Sequence, residues 1–382
     1  MNKVFIITQG PFYYTKTGEY HIGGIQTYIR RLIDIFVEVG YRTYVINDGI
    51  ETLTVQLENN ATYVQVPVEK DRVRALVKRA EQLGDIQNDL LLFSTSTEIM
   101  PSRFKHVLGI QHGIYWDSSV VRGVNLKNYI SMAVLRSLQT VQQIKWHRTV
   151  GTLVCVDANY VNWLRACAGD FNLDYVYIPN FAEVPRNKKK NSSGSNINIL
   201  FARRFVKQRG IELLIDALPT ILDKYPHTTL TIAGQGEGLS KLHATFDNYG
   251  ERVCFTQYDA NDSVDFHLNY DIALVPSLYS EGTSLSLLEA MSAGCACIAT
   301  DVGGLSNIII NGHNGILIRP RSSDLVKALS KVIDNKDERL YLANNAMQTV
   351  KDSFSIEVWK NRWIDFINSY YPANEKPARK DD

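Results

Sequence analysis

Two glutamates eight positions apart, Glu281 and Glu289, stand in the run Val275-Pro276-Ser277-Leu278-Tyr279-Ser280-Glu281-Gly282-Thr283-Ser284-Leu285-Ser286-Leu287-Leu288-Glu289-Ala290-Met291-Ser292-Ala293-Gly294. An apolar strand ends there, a loop of small residues follows, and a helix is expected to begin at Thr283, Ser284 and Leu285. The first N–H groups of a helix have no partner inside it and lie at the positive end of its dipole, so this helix start suits a negatively charged oxygen. Glu281 then rims that place, and Glu289 lies about a turn and a half further along the helix. The spacing suits a long, two-part ligand. One carboxylate stands near a reacting group, while the other accepts paired hydrogen bonds from vicinal hydroxyls such as those of a ribose. A second group lies in Asn198-Ile199-Leu200-Phe201-Ala202-Arg203-Arg204-Phe205-Val206-Lys207-Gln208-Arg209-Gly210, where a strand runs into a loop of four cations before the next helix. Cations in such a loop suit phosphate.

The elements that must position these groups repeat one pattern. Val4 to Thr8 is a continuous apolar run, and Ile25, Tyr28, Ile29, Leu32, Phe36 and Val39 recur at helical spacing until Gly40. Tyr44 to Asn47, Asp89 to Ser94, Val107 to Gln111, Thr152 to Val156 and Tyr175 to Ile178 are short apolar runs of the kind found in a parallel sheet covered on both faces. From Pro185 to Asn196 no apolar residue follows Pro185, a linker's composition. The pattern then restarts at Ile197 to Ala202, with a helix carrying Ile211, Leu214, Ile215, Leu218, Ile221 and Leu222 on one stripe. Further strands are expected at Thr229 to Ala233, Val253 to Thr256, Ile272 to Pro276 and Ala296 to Thr300. The domain expectation is residues 1–184 with linker 185–196, then 197–354, then a C-terminal helix at 355–371 and a tail at 372–382.

A chain of 382 residues fits two domains better than one. Its 45% hydrophobic and 21% charged content is that of a globular protein, and a net charge of +1 gives no bulk attraction to nucleic acid. The five cysteines form no C-x-x-C, so buried reduced thiols are expected rather than a disulfide framework or a zinc site. No run approaches 18 apolar residues, and the expectation is a cytoplasmic protein that does not span a membrane.

The E-x7-E run resembles the donor domain of a large family of retaining glycosyltransferases with the GT-B fold, often numbered four. The resemblance continues through Ile298-Ala299-Thr300-Asp301-Val302-Gly303-Gly304-Leu305 and Asn311-Gly312-His313-Asn314-Gly315-Ile316-Leu317-Ile318 and covers essentially the second half. It implies an α/β fold of two Rossmann-like domains facing across a cleft, with an acceptor domain first, a donor domain second, and a C-terminal helix crossing back. By resemblance Glu281 lies beside the transferred sugar and Glu289 binds the nucleotide ribose. The family's Gly-Arg and Lys-Gly positions, which grip the donor diphosphate, align without gaps to Arg204 and Arg209. Arg203 then replaces the glycine and Lys207 is an extra cation. An arginine at the lysine position keeps the charge and adds a planar fork, but is bulkier.

In the first half, Gly23 and Gly24 match the family's glycine pair facing the donor diphosphate, where only glycine lets backbone N–H groups approach an anion so closely. An ordinary strand-to-helix loop is the other reading. His112 resembles the histidine that reaches the transferred sugar, and a satisfied structural histidine is its alternative. Asn180 reads as a turn residue. No Asp-x-Asp occurs in the chain, so the expectation is catalysis with no metal and no cofactor, the nucleotide-diphosphate sugar being substrate.

From Arg103 to Arg148 the chain has seven lysines and arginines, Arg103, Lys105, Arg122, Lys127, Arg136, Lys145 and Arg148, against the single acid Asp117. With Tyr129, Leu135, Ile144 and Trp146 interleaved, this stretch reads as a peripheral contact with an anionic inner membrane face, as a site for an acidic or lipid-phosphate acceptor, or as a solvated helical face. The functional expectation is transfer of a sugar to a saccharide or lipid-linked saccharide acceptor, with bacterial cell-surface polysaccharide or glycolipid assembly as its setting. The alternatives are a non-catalytic sugar-binding or partner subunit of the same fold, and a nucleotide-sugar epimerase or phosphorylase. A nicotinamide dehydrogenase is disfavoured because no G-x-G-x-x-G follows an early strand, and a P-loop enzyme because no G-x-x-x-x-G-K-[ST] is present.

Overall fold

The computed structural model describes residues 2–8, 12–14, 17, 19–20, 23–67, 71–113, 126–168, 174–187, 196–279 and 281–371. Most of the expected linker (188–195), the tail 372–382, His21, Ile22, Ser280 and residues 114–125 of the basic stretch lie outside the described residues. The chain forms two compact units, one of residues 1–112, 124–178 and 360–382, the other of residues 113–123 and 179–359.

The main sheet of the first unit contains β1 (Lys3–Ile7), β2 (Arg42–Gly49), β3 (Leu53–Gln56), β4 (Thr62–Pro67), β5 (Leu90–Phe93), β6 (His106–Gln111), β7 (Thr152–Cys155) and β8 (Tyr175–Tyr177). Their order is β8-β7-β6-β5-β1-β2-β4-β3, and every pairing is parallel except that of β3 with β4. Val4 to Ile7 and Leu90 to Phe93 are buried along their whole length, which explains their unbroken apolar character. The helix Gly24–Glu38 buries Tyr28, Ile29, Leu32 and Phe36 and ends where its periodicity stops. Gly40 takes φ +94°, its N–H bonds Val37 O at 3.1 Å, and Tyr41 N–H bonds Phe36 O at 2.8 Å, the paired bonds of a left-handed helix stop.

The second unit contains β9 (Ile197–Ala202), β10 (Thr228–Ala233), β11 (Val253–Thr256), β12 (Ile272–Val275), β13 (Ala296–Thr300) and β14 (Ile316–Ile318). The order β11-β10-β9-β12-β13-β14 is wholly parallel and is the doubly wound order of dinucleotide-binding folds. The strand order reverses between β9 and β12, and sheets of this kind bind ligands just beyond the strand carboxyl ends at that reversal. The helix Ile211–Lys224 buries Leu214, Leu218, Ile221 and Leu222 in one core with Phe201, Leu230, Ile232, Leu325 and Leu329. Each such side chain contributes roughly 1.5–3 kcal/mol by leaving water. On the other face Leu287, Leu288 and Met291 pack with Cys295 and Cys297. Cys167 and Cys254 are exposed, so the expected burial holds for only Cys155, Cys295 and Cys297.

The helix Ile356–Tyr370 starts on the second unit, where Ser355 Oγ accepts from Val358 N–H at 3.4 Å and Ile356 N–H bonds Ala182 O at 3.0 Å. From Lys360 it joins the first unit. There Trp363 Nε1 donates to Tyr28 OH at 3.0 Å and Lys360 pairs with Glu38 at 2.5 Å. The strands β3, β4 and β14 do not stand out in the sequence, nor do the helices Arg72–Leu83, Ala158–Ala168, Ser322–Asp334 and Lys336–Thr349, while the helix Leu126–Thr149 falls in the basic stretch for which a helical face is one reading. β3 is an edge strand of four residues and β14 has three, too short for a period to stand out.

Candidate functional site

The loops after β9 and β12 meet at the reversal of the second sheet. Gly210 has φ +81°, and a Cβ there would fall 1.8 Å from Pro276 O, so only glycine lets the first loop lie against the end of β12. Leu278 N–H bonds Gln208 O at 3.0 Å and joins the loops. From beyond β13, Gly304 N–H bonds Glu281 O at 2.7 Å, and a Cβ on Gly304 would sit 2.5 Å from the Gly282 carbonyl carbon. The Gly303-Gly304 pair therefore holds the backbone beside Glu281.

On this frame Arg203 and Arg209 each donate to Glu281 Oε1, and Arg203 Nη1 donates to Ser277 Oγ at 3.0 Å. Arg203 and Glu281 are almost wholly buried, with side chains 5% and 6% exposed. A buried guanidinium needs such a counter-charge, because an unpaired ion in the interior is strongly destabilising. Burial lowers the Arg209 pKa to about 9, with Arg203 and Arg204 adding repulsion, and burial lowers that of Arg203 to about 10. Both remain cationic at neutral pH. Two guanidinium groups on one carboxylate oxygen leave positive charge in surplus. Glu281 Oε2 is buried with no hydrogen-bond partner among the described residues.

The helix Leu285–Ser292 begins just after this cluster, with Ser284 at its N-cap and no acid in its first turn. The Ser284 side chain makes no capping bond to it among the described residues, and the first N–H groups of a helix have no partner within the helix itself. Thr283 O accepts from Asn180 Nδ2 at 2.5 Å, which makes Asn180 a tether of the site loop rather than only a turn residue. Burial raises the Glu289 pKa, opposed by Ser263 and by the Arg203 cation. Tyr258, stacked on Phe266 at 4.5 Å, also acts electrostatically on both Glu289 and Arg203. Arg203 thus lies within electrostatic reach of both glutamates.

Of the cations read from the sequence, Arg209 joins this cluster, whereas Arg204 and Lys207 are exposed. The sequence places Arg203 only among the four loop cations, as the replacement for the family's glycine, and gives no role to Ser277 or Tyr258. The bare Arg203-Arg204 pair carries no sign of which side chain turns inward, and a serine or tyrosine after a strand is too common to signal anything. In the first unit, His112 Nε2 lies 2.9 Å from Ser94 O and its ring stands edge-on to Tyr28 at 5.0 Å. Burial lowers its pKa to about 4, so it is neutral at pH 7. A carbonyl can only accept, so the proton sits on Nε2 and Nδ1 is left as an acceptor. Gly24 opens its helix and Gly23 is the N-cap in extended backbone that any residue can adopt. Among the described residues a Cβ on Gly23 would meet only the flexible end of Gln26, and these residues do not demand glycine there.

Residues 184–349 match the family model for glycosyl transferases group 1. That segment contains Arg203, Arg209, Glu281 and Glu289. An uncharacterized glycosyltransferase of Methanocaldococcus jannaschii is 34% identical over 185 residues, 47% of this chain and 46% of that protein. The match therefore spans about half the length of that relative. Among solved structures, sucrose-phosphate synthase from Thermosynechococcus elongatus superposes with TM-score 0.75 at 16% identity, covering 98% of this chain and 100% of the other. Anabaena HepE in complex with UDP-glucose gives TM-score 0.70 at 18% identity, covering 96% and 99%. At these identities the likeness establishes the fold, two Rossmann-like parallel-sheet units of the GT-B type.

Proposed function

We propose that the protein is a retaining glycosyltransferase that moves a sugar from a nucleotide-diphosphate donor to an acceptor hydroxyl, with no metal and no cofactor. The observation that carries this reading is the convergence of Arg203 and Arg209 on Glu281 at the carboxyl end of the second sheet's reversal, three residues before a helix N-cap. In this reaction the bond from the anomeric carbon to the diphosphate oxygen breaks and a bond to the acceptor oxygen forms on the same face. The acceptor's proton passes to a diphosphate oxygen. The leaving group gains negative charge, and preorganised guanidinium and helix N–H groups stabilise it without reorganising. Glu281, already held by two cations, sits beside the transferred sugar as an electrostatic partner and not as a covalent nucleophile. Glu289 accepts hydrogen bonds from the ribose hydroxyls, and neutral His112 offers Nδ1 as an acceptor to a sugar hydroxyl. Arg204, Gly23, Gly24, Thr283, Ser284 and Leu285 are assigned to the diphosphate. The rival readings, a non-catalytic subunit and an epimerase or phosphorylase, do not require the transfer that this one does.

The test is acceptor-dependent release of nucleoside diphosphate, after thermal-shift screening of UDP-, GDP- and ADP-sugars has found the donor. Glu289→Ala should weaken that donor's binding by about 10–100-fold, the effect of losing hydrogen bonds to a charged group. An unchanged dissociation constant by calorimetry would remove Glu289 from the ribose site.

The basic stretch supports a peripheral contact with an anionic membrane at the inner, cytoplasmic face, where a lipid-linked saccharide acceptor would be met. In the helix Leu126–Thr149, Val134, Leu135, Leu138 and Val141 are each more than half exposed, and the exposed Lys145 and Arg148 follow on the same side. No described helix is long and apolar enough to cross a membrane. The protein should float with anionic liposomes in low salt, and Leu138→Asp with Val141→Asp should abolish flotation. Absence of flotation by the unaltered protein would leave the strip as a solvated face.

A further inference from the structure

The first unit has its own polar cluster at the carboxyl ends of β1, β2, β5 and β6, where its strand order reverses between β1 and β5. Arg72 is its centre. Nε donates to Asp48 at 2.7 Å, Nη1 to Glu98 Oε1 at 2.6 Å, and Nη2 to Thr8 O at 2.7 Å. Asn47 Nδ2 reaches the same Thr8 oxygen at 3.1 Å, Ser94 N–H bonds Ile7 O at 2.9 Å, and His112 holds Ser94 O. These bonds, joined through the Ile7-Thr8 backbone, link His112 to Glu98.

A group serving only to staple the sheet edge would saturate its polar atoms, and this one does not. Glu98 Oε2, Ser94 Oγ and Ser96 Oγ are all buried and have no hydrogen-bond partner among the described residues, although their residues are only 0–3% exposed. Three unsatisfied atoms within five residues is a costly arrangement, since each buried orphan forfeits its bonds to water. Such orphans call for a ligand that supplies what is missing.

We propose that Ser94, Ser96 and Glu98 form a subsite for the hydroxyl groups of an uncharged saccharide acceptor. This deepens the acceptor side of the function proposed above and rests on it. A carboxylate can only accept, so the group facing Oε2 must donate, and a serine hydroxyl can serve in either direction. Sugar hydroxyls meet both demands. The cluster sets two acids, Asp48 and Glu98, against one arginine, so it offers a phosphate no surplus of positive charge. The acceptor group seated here is therefore neutral, whatever it is attached to elsewhere.

The test is saturation-transfer NMR on the full chain, using the methyl glycosides of glucose, galactose, mannose and N-acetylglucosamine and the 6-phosphates of the same sugars. At least one glycoside should bind more tightly than its phosphate, and Glu98→Gln and Ser96→Ala should each weaken it by about tenfold, the loss of one hydrogen bond to a charged group or of a buried hydroxyl. Glycoside binding unchanged in both variants, tighter binding of the phosphates, or no glycoside bound by the unaltered protein would each overturn the proposal. Thermal shift with UDP, GDP and ADP reports the donor site separately, and both variants should respond as the unaltered protein does. A protein that binds a diphosphate but no glycoside keeps the donor reading and loses this one.

Discussion

Glu281→Gln should lower turnover at saturating donor by about 10²–10³-fold while leaving the donor dissociation constant within a few-fold. The range is that of losing one preorganised electrostatic partner in a catalytic site. Glutamine keeps the shape and one acceptor oxygen but removes the charge that holds Arg203 and Arg209 in place. Glu281→Ala separates chemistry from folding. It strands Arg203, whose side chain is only 5% exposed, and an unpaired buried charge costs about 3–5 kcal/mol. In a domain of this size that corresponds to a melting temperature lower by roughly 10 °C. A glutamine variant with normal turnover would take Glu281 out of the reaction, even if the alanine variant unfolded early.

Arg209→Ala should be the second large effect, lowering kcat by about 10²–10³-fold with little change in stability. Its side chain is 24% exposed, and its removal leaves Arg203 still paired with Glu281. The loss falls on the step in which the diphosphate gains charge, so it should appear in kcat and grow with poorer leaving groups. Arg209→Lys should recover part of the rate, since lysine restores the charge but not the planar fork. Equal rates for Arg209→Ala and the unaltered protein, measured as nucleoside diphosphate released per second, would shift the phosphate contact to Arg204 or Lys207.

The two halves of the molecule were unequally legible. Glu281 and Glu289 could be placed at a helix start because a buried strand, a small-residue loop and an apolar helix follow one another within twenty residues, and such local order follows from composition and period alone. In the first half, Arg72, Asp48 and Glu98 are separated by 24 and 26 positions and gave no signal, because nothing in a chain's local pattern reports which distant loops share a sheet edge.

By itself the amino-acid order determined the alternation of apolar runs and helical stripes, the restart after residue 196 and the two chemistry-bearing loops, since burial of strands and helix faces acts on neighbouring residues. Tertiary structure decided the strand order that brings those loops together. It also decided that Arg203 turns inward to Glu281 while Arg204 faces solvent, a choice between adjacent cations that only the surrounding cavity and its counter-charge can make.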